Sequence, residues 1–419
     1  MLLIKNARHF ATGREVDIFI KDGKIARISE NIAGAGDAKT LDAAGLVAAP
    51  GLVDMHVHFR DPGLTYKEDI ITGAAAAAAG GVTTCACMPN TVPPADSPET
   101  IKYVIDKAKK TQIAVLPYGA ATRGQKGEEL TDFAALKAAG AVALSDDGNP
   151  IQNAALARKA MQTARKHDIL IVSHCEDADM AQNHGVNEGS VSRRLDMPGR
   201  PAIAEDIMVA RDIMLAAETG ARVHIAHVST SGAVDIIRRA KAAGINITAE
   251  TCPQYFSLAE DEILTKGPLA RVNPPLRTKK DVEAVIQGLA DGAIDAIATD
   301  HAPHSEEEKS RPVADAPSGM LGLETSLALA LTFLYHTGRL RMDEIVRLMS
   351  ETPARILGLE AGKLAEGAPA DIVLFDPNEK WTVEPELFKS KSRNTPFGGV
   401  ELRGKVRYTA SRGKIVFGH

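Results

Sequence analysis

Gly51-Leu52-Val53-Asp54-Met55-His56-Val57-His58-Phe59-Arg60-Asp61-Pro62-Gly63 holds both the architectural and the chemical signature of the chain. Leu52–Phe59 is apolar and β-branched enough for a buried strand, and Asp61-Pro62-Gly63 breaks it with turn residues. A helical period follows over Lys67–Ala79 and stops at Gly80, where a glycine C-cap belongs. The same strand-then-helix unit recurs outward from here. Further strands are expected at Val82–Met88, Ala114–Ala120, Ala141–Ser145, Ile169–His174, Val223–Val228, Asn246–Ala249 and Ala293–Ala298. The helices between and after them are expected at Pro98–Lys110, Asp132–Ala139, Asn153–Lys166, Ile203–Thr219, Gly232–Ala243, Lys279–Leu289 and Leu323–His336. Eight such units predict an α/β fold, a (β/α)₈ TIM barrel. A doubly wound open sheet is the alternative, but no glycine-rich phosphate loop follows the first strand.

The two ends of the chain have another rhythm. Leu2–Lys5, Asp17–Lys21, Lys24–Ile28 and Thr40–Ala43 are short strand-like segments, as are Ala370–Phe375, Thr382–Val383, Val400–Arg403, Lys405–Thr409 and Lys414–Phe417. Neither end has strands enough for a stable sheet alone. Residues 1–48 and 362–419 are therefore expected to pair into one small β-sandwich domain, with 49–361 as the catalytic barrel. Arg339–Leu359 is expected to form one or two closing helices.

Bulk properties exclude several function classes. The formal charge of −5 in 419 residues gives no footprint for nucleic acid or a membrane surface. Four cysteines in so long a chain are no disulfide framework, and a reducing, cytoplasmic setting is expected. The first residues lack the pattern of a signal peptide.

The chemistry gathers at strand ends. His56 and His58 alternate along a strand, so both point to one face and into the barrel mouth, where two imidazoles can hold one divalent ion. Other strands end in Ser145-Asp146-Asp147-Gly148, Ser173-His174-Cys175-Glu176, His224-Ile225-Ala226-His227 and Thr299-Asp300-His301-Ala302-Pro303-His304. Five of eight strands thus deliver His or Asp to the carboxyl-terminal rim, where barrel active sites lie. Such ligands suit Zn²⁺, and also Mn²⁺ or Co²⁺. A water held by two ions ionises near neutral pH, and a carboxylate beside it can move its proton to a leaving nitrogen. His224, three positions before His227, should face away from it. Cys175 should point opposite to His174, and His301 should pack or support. The segment Ser305–Met320 is expected to be a loop over the site, with its Glu306-Glu307-Glu308 on the surface.

Gly51–Gly63, Met88-Pro89-Asn90, Arg271-Val272-Asn273-Pro274-Pro275-Leu276-Arg277 and Ala298–His304 together resemble dihydroorotase, of the metal-dependent amidohydrolase superfamily. The resemblance covers nearly the whole chain, including Gly362–Phe375 in the end domain. It implies zinc-dependent, reversible cyclisation of N-carbamoyl-L-aspartate to dihydroorotate in de novo pyrimidine (UMP) biosynthesis. It implies one metal on His56, His58 and Asp300 and a second on His174 and His227, with Asp300 also the general acid/base. Arg60, Asn90 and His304 would receive the substrate carboxylate and Asn273 the ring, with the Ser318 and Gly319 backbone nearby. Many relatives bridge their metals with a carboxylated lysine, and this sequence has Asp146-Asp147 there, like the class I bacterial branch. Chemistry alone does not separate the two aspartates. The resemblance assigns the bridge to Asp147, for one or two Zn²⁺ per chain, two being expected. It also implies a homodimer and association with aspartate transcarbamoylase. Two other readings stand beside it: a hydantoinase or allantoinase, which needs no carboxylate clamp, and a silent scaffold, which would have lost metal ligands.

Overall fold

A computed structural model describes residues 1–33, 36, 38–182 and 184–418. Several of its helices begin where capping chemistry dictates. Asp69, Ser97, Asp132 and Asn153 each accept a backbone N–H from the turn that follows, satisfying donors the helix itself cannot. The helix expected from Lys67 therefore starts later, as Ile70–Ala79, and the next ones run Pro98–Ala108, Phe133–Ala139 and Ala154–Lys166. Ile203–Thr219 runs as expected. The expected helix Leu323–His336 is instead Ser326–Ala330 followed by a π-helical turn, Leu331–Tyr335. Gly322 donates its N–H to His301 Nδ1 at 3.2 Å, which keeps this part of the chain out of the helix.

The parallel strands close into a cylinder. Leu52–Val57, Val82–Cys87 and Ala114–Pro117 pair in order. Gly119–Ala120 continues past Tyr118 and pairs with Ala143–Ser145, then Leu170–Ser173, Val223–Ile225, Ile247–Thr251 and Ala296–Ile297 follow side by side. A bridge between Val57 and His301 joins last to first, and His58 N donates to His301 O at 2.8 Å. The interior is filled rather than hollow. Met55, Ala86, Tyr118, Ala143, Val172, Ala226 and Ala296 pack across it, and the Tyr118 hydroxyl donates to Met55 O at 2.9 Å. Small residues alternate with a few large ones, as a narrow barrel requires. The outer helices bury a separate shell that includes Ile101, Leu136, Val209, Ile237 and Val285.

Both chain ends enter one eight-stranded sheet. Val47–Pro50 joins them, pairing parallel with Leu2–His9 and antiparallel with Ile372–Thr382. Ile4, Ile18, Ile20, Ile25, Ile372 and Leu374 form its core. No helix among the described residues is long and apolar enough to cross a membrane.

Candidate active site

Asp147 is the centre of the barrel mouth. Its Oδ1 lies 3.5 Å from His56 Nε2 and 3.3 Å from both His174 Nδ1 and His227 Nε2, and its Oδ2 lies 3.5 Å from His58 Nε2. Two potential metal-binding groups share it: His56, His58 and Asp147, and Asp147, His174 and His227. Asp300 completes the ring, its Oδ1 2.9 Å from His58 Nε2 and 3.6 Å from His56 Nε2. All six residues predicted as ligands thus converge. Asp146 faces elsewhere: it accepts N–H bonds from Ala121 and Thr122 and the Thr122 hydroxyl, and burial raises its pKa to about 6.

The imidazoles are aimed by partners behind them. Glu250 Oε1 holds His56 Nδ1 at 2.6 Å and Asn90 Oδ1 holds His58 Nδ1 at 2.8 Å. Both rings therefore turn Nε2 inward. His56 Nε2 is fully buried without a hydrogen-bond partner, although it faces two carboxylates. His174 Nδ1 and His227 Nε2 approach each other to 2.8 Å. Inward-turned nitrogens around a shared carboxylate, one of them orphaned, make a donor set that fits divalent cations.

The local field favours positive charge at this centre. Burial opposes charging Asp147, but His56, His174 and His227 outweigh it and hold its carboxyl well below the usual range. Burial likewise opposes protonation of His174, yet Asp147 and Glu176 push its pKa up to about 10. Burial works against ionised Glu250 too, but His56 and His224 bring it down to about 2. Such compensation is how a protein keeps charges dry.

Above the cluster is a cavity of about 190 Å³. Arg60, Asn90, Asn273, His304, Ser318 and Gly319, the six residues expected to contact substrate, all line it. Arg60 Nε donates to Pro303 O at 3.3 Å, which leaves the rest of its fork to the cavity side. Asn273 accepts from Arg200 Nη1 and reaches His174 Nε2 at 3.4 Å. His304 Nε2 donates to Ser318 O at 2.9 Å. The loop 305–320 does cover the site, but Glu308 is not a surface residue in isolation. It pairs with Lys67 at 2.8 Å and caps its own short helix through Ser305.

Glu250 and Lys67 were missed from sequence because their partners are remote in the chain. The available signal for Glu250 was an ionisable residue inside Ile247–Thr251, a strand expected to stop at Ala249. His224 is no part of the cluster. Its Nδ1 lies 2.8 Å from Thr248 Oγ1 and its Nε2 3.3 Å from Glu250 Oε2. Cys175 faces Ser173 and Asp212 instead, and burial raises its thiol pKa well above the ordinary range.

Residues 45–233 match the profile of the Dihydro-orotase-like family. A protein named dihydroorotase in Ruminiclostridium cellulolyticum is 50% identical over 99% of this chain and 98% of its own. One of the same name in Clostridioides difficile is 48% identical over 100% of both chains. Among solved structures, L-hydantoinase (dihydropyrimidinase) from Arthrobacter aurescens superposes with a TM-score of 0.88 at 28% identity, covering 100% of this chain and 96% of that one. D-hydantoinase from Bacillus sp. AR9 gives a TM-score of 0.86 at 25% identity, over 100% and 95% of the two chains.

Proposed function

We propose, from the premise that the chain belongs to the dihydroorotase family, that it interconverts N-carbamoyl-L-aspartate and (S)-dihydroorotate in de novo pyrimidine biosynthesis. It is a hydrolase of cyclic amides, and the metal-dependent chemistry of its family fits the donor set at the barrel mouth. His56, His58 and Asp300 would hold one ion and His174 and His227 a second, with Asp147 between them; imidazole and carboxylate donors favour zinc. Ions held there would supply Lewis acidity and lower the pKa of a water.

The remaining steps belong to side chains. Arg60 forks the ring carboxylate, with Asn90 and His304 beside it, as a planar guanidinium suits a planar anion. Asn273 and the backbone at Ser318 and Gly319 seat the ring. On opening, Asp300 accepts a proton from the attacking water and returns it to the amide nitrogen as the C–N bond breaks. Cyclisation runs the same transfers backwards. The observation that carries this reading is one cavity lined both by the ligand cluster around Asp147 and by Arg60 with His304. That pairing separates it from a hydantoinase or allantoinase, whose substrates carry no such carboxylate.

We further propose a cytoplasmic homodimer able to associate with aspartate transcarbamoylase. We also propose two domains, a composite β domain of 1–48 with 362–419 and a catalytic barrel of 49–361, the sheet strand Val47–Pro50 running across the boundary. Ring-opening assays on dihydroorotate, a hydantoin and allantoin, each with and without chelator, test the reaction. Chelator-sensitive turnover of dihydroorotate above the other two is expected. Preference for either of the others, or activity indifferent to exhaustive chelation, overturns the assignment.

A further inference from the structure

His304 has both ring nitrogens engaged, and its partners leave it one protonation pattern. Nε2 lies 2.9 Å from the Ser318 carbonyl, which can only accept, so Nε2 carries a proton. Nδ1 lies 3.3 Å from Lys67 Nζ, an ammonium that can only donate, so Nδ1 offers its lone pair. Lys67 is itself buried, and Glu308 Oε1 at 2.8 Å supplies its counter-charge. Tyr66 donates to the same Glu308 oxygen at 3.2 Å. The doubly protonated ring is opposed by burial first and then by Arg60, Lys67 and Lys309, which drive the His304 pKa far below the ordinary histidine range. Glu308 Oε2 stands 3.6 Å from Nδ1, but it already accepts from the Ser305 backbone.

Arg60 Nη2 lies 3.4 Å from Nε2. The Nε2 proton points to the Ser318 carbonyl, so Nε2 has no lone pair for the guanidinium, and the Nη2 protons are left to the cavity. A carboxylate is the acceptor that such a fork takes. With the opposite tautomer Nε2 would present a lone pair, which would turn against the Ser318 carbonyl oxygen and tie up the Arg60 donor.

We propose that Lys67 is a positioning residue that fixes the Nε2–H tautomer of His304, so that the ring holds the Ser318 carbonyl and leaves the Arg60 fork free to select an anionic group on the substrate. Glu308 anchors Lys67 for this task. The inference deepens the carboxylate-recognition reading above and rests on it.

Two measurements test it on the full-length, metal-loaded protein. Long-range ¹H–¹⁵N NMR of histidine-labelled protein reads the tautomer directly and needs no substrate. The wild type is expected to show His304 protonated at Nε2 only, and Lys67→Met to show a mixture or the Nδ1–H form. A wild-type ring protonated at Nδ1 overturns the proposal even if the variant fails to fold. In steady-state kinetics, Lys67→Met is expected to raise KM for dihydroorotate about tenfold, the loss of roughly one well-placed charge-assisted hydrogen bond. The expected change in kcat is small, and turnover of the same ring lacking the carboxylate should be untouched. Lys67→Arg, which keeps a donor, should restore the tautomer and much of KM. Arg60→Ala is run alongside. If it raises KM while Lys67→Met does not, the role given to Lys67 is wrong. If neither moves KM, the carboxylate reading itself is wrong and the proposal falls with it.

Discussion

Glu250→Gln isolates the part of the site that sequence reasoning did not see. The carboxylate is fully buried, 2.6 Å from His56 Nδ1 on one side and 3.3 Å from His224 Nε2 on the other. Glutamine keeps the shape, and its Oε1 can still accept the His56 Nδ1–H. Its amide N–H₂ then faces His224, which accommodates it by moving its own proton to Nδ1, toward Thr248 Oγ1. What is lost is the charge. A hydrogen bond to an ionised group contributes about 1.5–3 kcal/mol and a neutral one about 0.5–1.5, so His56 loses roughly 1–2 kcal/mol of orientation and basicity. Metal affinity should fall about 5–30-fold, which overlaps the roughly 10–100-fold known for outer partners of ligating histidines. Competition against a chromophoric chelator, after stripping and reloading with zinc, measures this. A thermal melt of the metal-free variant should show it folded. Glu250→Leu should be far worse, because His56 loses its acceptor and both imidazoles lose the facing carboxylate in a dry interior. Zinc affinity unchanged within twofold in Glu250→Gln would refute the reasoning, and Glu250 would then be a packing residue.

Asp300→Asn should retain substrate binding but lose about 10²–10⁴-fold in kcat if this carboxylate moves the proton, as stopped or continuous ring-opening assays would record. Among the described residues Glu324 accepts only backbone N–H groups, from Lys389 at 2.8 Å and Ser390 at 3.1 Å, and burial raises its pKa to about 7 despite them. A carboxyl raised in the fold binds its proton more tightly there than when unfolded, so its contribution to stability is full below the unfolded pKa near 4.5 and declines as pH climbs to about 7. Glu324→Gln should therefore leave Tm unchanged at pH 5 and raise it at pH 8. Gly319 sits at φ +141°, and an added Cβ would lie 2.8 Å from Ala302 Cβ and 3.0 Å from His304 Cδ2. Gly319→Ala should cost about 1–3 kcal/mol in thermal or denaturant unfolding and raise KM by displacing His304.

Local periodicity revealed what local periodicity can encode. His56 and His58 share a face because strand residues alternate, and both do turn Nε2 to Asp147. The order of strands and helices was legible for the same reason, and a glycine stop such as Gly80 marked where a helix ends, while the capping bonds of Asp69 and Ser97 set the starts. What escaped was pairing across the barrel. Glu250 lies 194 positions from His56, and Lys67 lies 237 from His304, so no window of sequence contains either pair. The two adjacent aspartates were likewise alike on paper. Only the Thr122 hydroxyl and the backbone at Ala121 and Thr122, supplied by the preceding strand end, occupy Asp146 and leave Asp147 to the centre.

Alternation alone would not have been enough to build the mouth, and the backbone departs from it where it must. Arg60, His227 and Asp300 all adopt positive φ, at 57°, 35° and 49°. Side chains other than glycine disfavour this region by about 1–2 kcal/mol each. A strand end can aim only every second residue inward, and a left-handed residue re-aims the next step of the chain. Each of these three is pinned by its neighbours. Leu64 N donates to Arg60 O at 2.9 Å, and Val228 N donates to Glu250 O at 2.8 Å just after His227. Beside Asp300, the buried Asp54 accepts from Thr299 N at 3.2 Å and from His56 N at 3.1 Å, tying the last strand to the first. Asp54 has its pKa raised to about 7 by burial, against those bonds. A side chain so poorly placed for its own ionisation is there for the geometry it imposes. The three strained residues belong to a frame set by barrel closure, so the positions of the ligand cluster and of the guanidinium follow from strand pairing before any ligand arrives.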